Sequence, residues 1–112
     1  MSINSYLVKE ILKSVKIEVE DLDERFDYSY SRDFRLTLVQ ISNLESTLNL
    51  NKVEKFNILI EEFKSLVQEF KSFMMLCDDE YCEEWIKYGL FSADIIISKL
   101  DYIASLYSEV KL

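Results

Sequence analysis

The sequence predicts an all-α fold, an antiparallel up-down four-helix bundle, on three observations. Apolar residues recur at steps of three and four along almost the whole chain, which is the period of one helix face. There is no proline and one glycine, Gly89, so little interrupts a helix and few glycine-dependent hairpin turns are available. The breaks in periodicity are short, and helices joined by loops of about two to five residues alternate in direction.

The first helix is expected over 4–28, where Val8, Leu12, Val15, Val19, Leu22 and Phe26 alternate steps of four and three. Residues Val15 to Glu20 also alternate like a strand. A lone strand would have nothing to pair with, so helix is preferred. Tyr28-Ser29-Tyr30-Ser31-Arg32 is the most loop-like segment, with Ser31 or Asp33 placed to cap the second helix, 33–48. That helix carries Phe34, Leu38, Ile41, Leu44 and Leu48. Asn49 or Asn51 suits the N-cap of the third helix, 51–77, and Asn51 with Glu54 resembles a capping box.

The third helix is the cleanest signal. Val53, Phe56, Ile60, Phe63, Val67, Phe70, Met74 and Cys77 form its stripe, widened by Leu59, Leu66 and Phe73. Such width belongs to a globular bundle more than to a two-stranded coiled coil. Asp78-Asp79-Glu80 opens the fourth helix, 79–111, where negative charge suits the N-terminal dipole. Its series is Ile86, Leu90, Ala93, Ile97, Leu100, Ala104 and Tyr107, flanked by Ile96, Ile103 and Val110. Gly89 either kinks this helix or lets a neighbour come close.

At 112 residues, 49% of them apolar, the chain suits one domain spanning 1–112, burying roughly two thirds of its surface. Only two alanines stand against fifteen leucines and eleven isoleucines, so the core is built of bulky side chains. Few Ala, Gly and Pro with many Ile, Lys and Tyr suggest an AT-rich genome, such as that of a low-GC bacterium, phage or archaeal virus. No apolar run approaches the ~18 residues that span a bilayer, and Met1 to Tyr6 lacks the basic region of a signal peptide. With two cysteines besides, a reducing cytoplasm is the expected compartment, with no membrane partner.

The charge is lopsided. Six acids and one arginine lie between Glu18 and Asp27, and five acids with no base between Asp78 and Glu84. The rest of the chain carries twelve bases against ten acids. In the up-down topology both clusters fall at one pole, near Tyr28, Tyr30, Tyr81 and Trp85. Such runs often do no more than keep a protein solvated. Acids at the start of the fourth helix stabilise it locally. Those toward the end of the first oppose its dipole, and Glu20–Glu24 and Asp23–Asp27 repel at i,i+4. Local stability does not ask for the first cluster, whereas a basic partner would.

Several chemistries are set aside. The chain has no histidine, which removes the commonest general base and metal ligand and the Glu-x-x-His pairs of di-metal carboxylate bundles. Asp21-Leu22-Asp23 starts like a calcium loop, but Arg25 and Phe26 stand where the third ligand and the glycine belong. Cys77 and Cys82 lack companions for a zinc site and read as a buried apolar residue and an incidental thiol. Ten dispersed lysines on an acidic chain disfavour direct nucleic-acid binding. Arg25, Arg32 and Arg35, next to Tyr28 and Tyr30, are expected to bridge the surrounding acids rather than to hold phosphate. Trp85 reads as core, lidding a helix end. No enzyme, cofactor or metal is expected.

Arg25-Phe26-Asp27-Tyr28-Ser29-Tyr30-Ser31-Arg32 resembles the start of the second helix in small four-helix partner proteins of nucleotidyltransferase toxin–antitoxin pairs and in the related HEPN ribonuclease domains. The likeness is confined to this segment. Those ribonucleases use an arginine followed shortly by a catalytic histidine, which this chain lacks, so no catalytic role carries over.

The expected function is that of an interaction protein whose acidic pole occludes a basic surface on a nuclease, toxin or nucleic-acid-binding effector, as immunity proteins, antitoxins and anti-defence inhibitors do. The partner-binding residues would be Glu20, Asp23, Glu24, Asp27, Asp79, Glu80, Glu83 and Glu84 for charge, with Tyr28, Tyr30 and Tyr81 as anchors. The alternative is a structural or accessory helical subunit, possible as a homodimer, associating through apolar helix faces. Ile58, Met75 and Leu76 extend apolar character beyond the stripe of the third helix.

Overall fold

The computed structural model describes residues 3–25, 39–76 and 83–110, with backbone alone for residues 3, 4, 23, 25 and 108–110. Four helices are described: α1 (Ile3–Arg25), α2 (39–49), α3 (Val53–Leu76) and α4 (Glu83–Val110). No strand occurs among the described residues, and 15–20 is helical. The expected helix ends at 26–28, 33–38, 77 and 79–82, and with them Phe26, Phe34, Leu38 and Cys77, lie outside the described residues.

Side-chain pairs fix the directions. From α3, Lys64 reaches Asp101 at 2.5 Å and Lys71 reaches Asp94 at 2.6 Å. Advancing along α3 thus means retreating along α4. From α1, Asp21 meets Tyr88 while Ser14 and Glu18 meet Lys99, so α1 also runs against α4. α1 and α3 therefore point the same way, as an antiparallel up-down bundle requires. Its principal extents are 50 × 20 × 19 Å.

One core runs through all four helices. It takes Val8, Leu12, Val15, Val19 and Leu22 from α1, then Ile41, Leu44 and Leu48 from α2. α3 adds Phe56, Ile60, Phe63, Val67, Phe70 and Met74, the stripe its spacing predicts. Phe63 is fully buried, and truncating such a side chain to alanine costs about 3–5 kcal/mol through lost transfer energy and an unfilled cavity. Phe56 packs edge-on against Tyr107, ring centroids 4.6 Å apart at 64°. That arrangement sets the positive rim of one ring against the negative face of the other.

In α4 the buried stripe is Ala93, Ile96, Leu100, Ile103 and Tyr107. Ile86, Leu90, Ile97 and Ala104 are only half-buried beside it. The core face is thus rotated relative to the expected series, because α4 contacts both α1 and α3 and its core lies between them. Asp94 and Asp101 line the α3 side, Tyr88 and Lys99 the α1 side. Gly89 is buried within continuous helix, where the missing side chain leaves room for a neighbour.

The turn between α2 and α3 corrects one expectation. Asn51 does not cap α3. It sits in the left-handed region, φ 55°, and its N–H donates to the Leu48 carbonyl while that of Lys52 donates to Thr47, both at 3.1 Å. This pair of bonds is the Schellman closure of a helix C-terminus. The first α3 bond, from Phe56 N–H, is accepted by the Lys52 carbonyl at 2.9 Å, so Lys52 is the N-cap. Asparagine serves either end of a helix, since its short amide tolerates positive φ as well as capping, and the closing role prevails here.

Candidate functional site

The end of α1 and the start of α4 share one pole. The Tyr88 hydroxyl donates to an Asp21 carboxylate oxygen. Glu24 follows Asp21 by about one turn and Glu84 precedes Tyr88 by about one turn, so both lie beyond this contact, toward the same end. Glu24, Glu83 and Glu84 therefore share that end, with Glu20 one turn before Glu24 on α1.

The first cluster divides by role. Glu18 and Asp21 are half-buried and turned toward α4, where Lys99 lies 3.9 Å from Glu18 and Tyr88 holds Asp21. Glu20 and Glu24 are exposed. In the second cluster Glu83 and Glu84 are exposed in the first turn of α4, and Glu83 pairs with Lys87 at 3.2 Å. Glu20, Glu24 and Glu84 have no hydrogen bond or ion pair among the described residues. Exposed carboxylates of one sign toward one end favour a negative potential that acts beyond contact range, to about a Debye length of 8–10 Å.

Of the remaining residues expected to bind a partner, Asp23 lies on α1 with its side chain undescribed, and Asp27, Tyr28, Tyr30, Asp79, Glu80 and Tyr81 lie outside the described residues, as do Cys82, Arg32 and Arg35. Trp85 corrects the expectation that it is core: it is 47% exposed. One turn into α4 it falls short of the buried stripe and instead stands beside Glu84. At the same pole Met75 and Leu76 end α3 with most of their surface exposed, and Phe73 is half exposed. The end that carries the acids thus also carries exposed apolar surface.

Sequence reasoning missed the interhelix polar contacts. Lys99 donates to Ser14 as well as lying near Glu18, and this pair with Tyr88–Asp21 locks α1 to α4 from outside the core. Spacing on one helix carries no signal for partners 85 and 67 residues away. It also treated the lysines as dispersed. Lys9, Lys13 and Lys16, at i, i+4 and i+7 on α1, instead line one cleft with Leu12, Glu45 and Asn49, about 370 Å³ in volume.

Among the described residues no three Cys, Asp or Glu side chains are grouped to hold a metal ion, and no helix is long and apolar enough to cross a membrane. The chain matches no known family model, no curated protein and no solved structure.

Proposed function

We propose that this chain is a small, acidic, non-enzymatic binding protein of the cytoplasm that occludes a basic surface on a partner protein, in the manner of an immunity protein, antitoxin or phage or viral anti-defence inhibitor. The observation that carries the reading is the shared pole, where Glu20, Glu24 and Glu84 are exposed with no ion pair among the described residues, and where Trp85 is also exposed. Charge accelerates encounter with a basic surface and makes it salt-dependent. Aromatic and apolar surface at the same end supplies the desolvated contact that charge alone does not. A nuclease, a toxin or a nucleic-acid-binding effector has such a basic surface.

The test is affinity capture from the native host with the wild-type chain and with the Glu20→Lys/Glu24→Lys/Glu84→Lys variant. A basic protein retained at low salt by the first and lost by the second supports the reading. Recovery of the same proteins by both overturns it.

A second reading, an accessory helical subunit or homodimer joined through apolar helix faces, is favoured by Ile17, Ile58 and Phe91, each more than half exposed. Size-exclusion chromatography at about 0.05 M and 0.5 M salt separates the two, since screening weakens charge-driven association and spares apolar burial. Self-association that persists at high salt favours the second reading.

A further inference from the structure

Away from the acidic pole, the cleft between α1 and α2 gathers cations in a chain that is otherwise acidic. Its walls are Lys9, Lys13 and Lys16 on one side and Glu45 and Asn49 on the other, with Leu12 at its base. Leu12 is buried, so the base is apolar, and Lys9 is half-buried along the wall. Lys13 has a weak local partner, Glu10 at 3.3 Å, both well exposed. Lys9 and Lys16 have no hydrogen bond or ion pair among the described residues, although acids outnumber bases 21 to 13 in the chain.

Helix stability does not account for this arrangement. Lys9–Lys13 and Lys13–Lys16 are like-charge neighbours at i,i+4 and i,i+3, which repel rather than support the helix. From Lys9 to Lys16 the rise along the helix is about 10 Å, longer than one tetrahedral anion and matched to an anion with consecutive charged groups. Lysine ammoniums are mobile point charges with three donors each, which suit phosphoryl oxygens. Lysine binds phosphate as a point charge that tolerates many approach geometries, and three lysines with no arginine line this cleft.

We propose that this cleft binds a di- or polyphosphate group through Lys9, Lys13 and Lys16, as part of a nucleoside polyphosphate or as inorganic polyphosphate. The volume, about 370 Å³, lies within the range of small-molecule sites and exceeds what the phosphates alone would fill. Glu45 and Asn49 on the α2 wall offer an acceptor and an amide to the hydroxyls or amines of an attached organic part. The site's lining shares no residue with the acidic pole, although Lys16 lies one turn before Glu20 on α1.

The experiment is titration calorimetry of the whole chain with ADP and, separately, with inorganic tripolyphosphate. The wild type is compared with Lys9→Gln/Lys16→Gln and with Lys71→Gln/Lys87→Gln, which makes the same change in net charge on α3 and α4. The expected result is saturable binding that weakens about tenfold or more in the first variant and is retained in the second. Tighter binding of ADP assigns the nucleotide as source; tighter binding of tripolyphosphate assigns the inorganic polymer. Thermal melting confirms that both variants fold, and relief of like-charge repulsion should leave the first at least as stable as the wild type. Absence of saturable binding, or equal loss in both variants, overturns the proposal.

Discussion

The Tyr88 hydroxyl donates to the Asp21 carboxylate across 67 residues of sequence, joining the end of α1 to the start of α4. Because Asp21 is half-buried, the bond is shielded from competing water. Tyr88→Phe removes the donor and leaves a carboxylate less well solvated. The expected loss is about 1–2 kcal/mol, read by urea denaturation. An unchanged midpoint would show that Asp21 finds equivalent partners without the phenol.

Tyr107 presents the opposite case. Its ring is fully buried against Phe56, while its hydroxyl has no hydrogen-bond partner among the described residues. A buried polar group left unpaired costs about 1–3 kcal/mol. Tyr107→Phe keeps the ring and discards that cost, so the variant should be more stable by about 1 kcal/mol. Tyr107→Ala should lose about 3–5 kcal/mol through its cavity. If the phenylalanine variant is destabilised, the hydroxyl is satisfied in solution.

Alkaline pH should weaken the fold. The Asp101 hydrogen bond, opposed by some desolvation, holds the Lys64 ammonium above the ordinary lysine value of 10.5. Its stabilising contribution is complete below about 10.5 and disappears as pH rises through the folded value. Burial raises the Tyr107 phenol above 10.0, so the unfolded chain ionises first and stability again falls as pH climbs past 10.0. Melting temperature should therefore begin to drop as pH passes about 10.0 and fall further above about 10.5. The drop should shrink in Lys64→Met/Tyr107→Phe. A slope identical in that variant would assign the alkaline sensitivity to other groups.

The left-handed backbone at Asn51 sets the α2–α3 turn. Glycine adopts that conformation without a side-chain penalty, so Asn51→Gly should be neutral or slightly stabilising. Asn51→Val forces a β-branched residue to positive φ and should cost about 1–2 kcal/mol. Thermal melting of the pair distinguishes backbone strain from loss of the amide, since both variants lose the amide and only one is strained.

Period made the helices legible. Every member of the α1 series from Val8 to Leu22 is buried, as are six members of the α3 series, because a single core direction is encoded in the spacing of large apolar residues. α4 was harder. Ile95, Ile96 and Ile97 are equally apolar, and only contact with two neighbouring helices selects Ile96 for the core. The shared pole followed from topology, but which acids face solvent did not. Glu18 and Glu20 are the same residue type two positions apart, and a half-turn about the helix axis decides that one faces Lys99 and the other solvent. Lys9, Lys13 and Lys16 had a readable period; their cleft depends on where α2 lies.

The elongated outline bears on how such a molecule could engage anything. The cross-section at either end, 20 by 19 Å, is narrow beside the ~800 Å² of accessible surface that each partner contributes to a standard complex. Contact confined to the tip would therefore bury less surface than a standard complex does. A long-lived complex would need a pit deep enough to receive the first turns of the rod, so that its flanks are gripped along with its end.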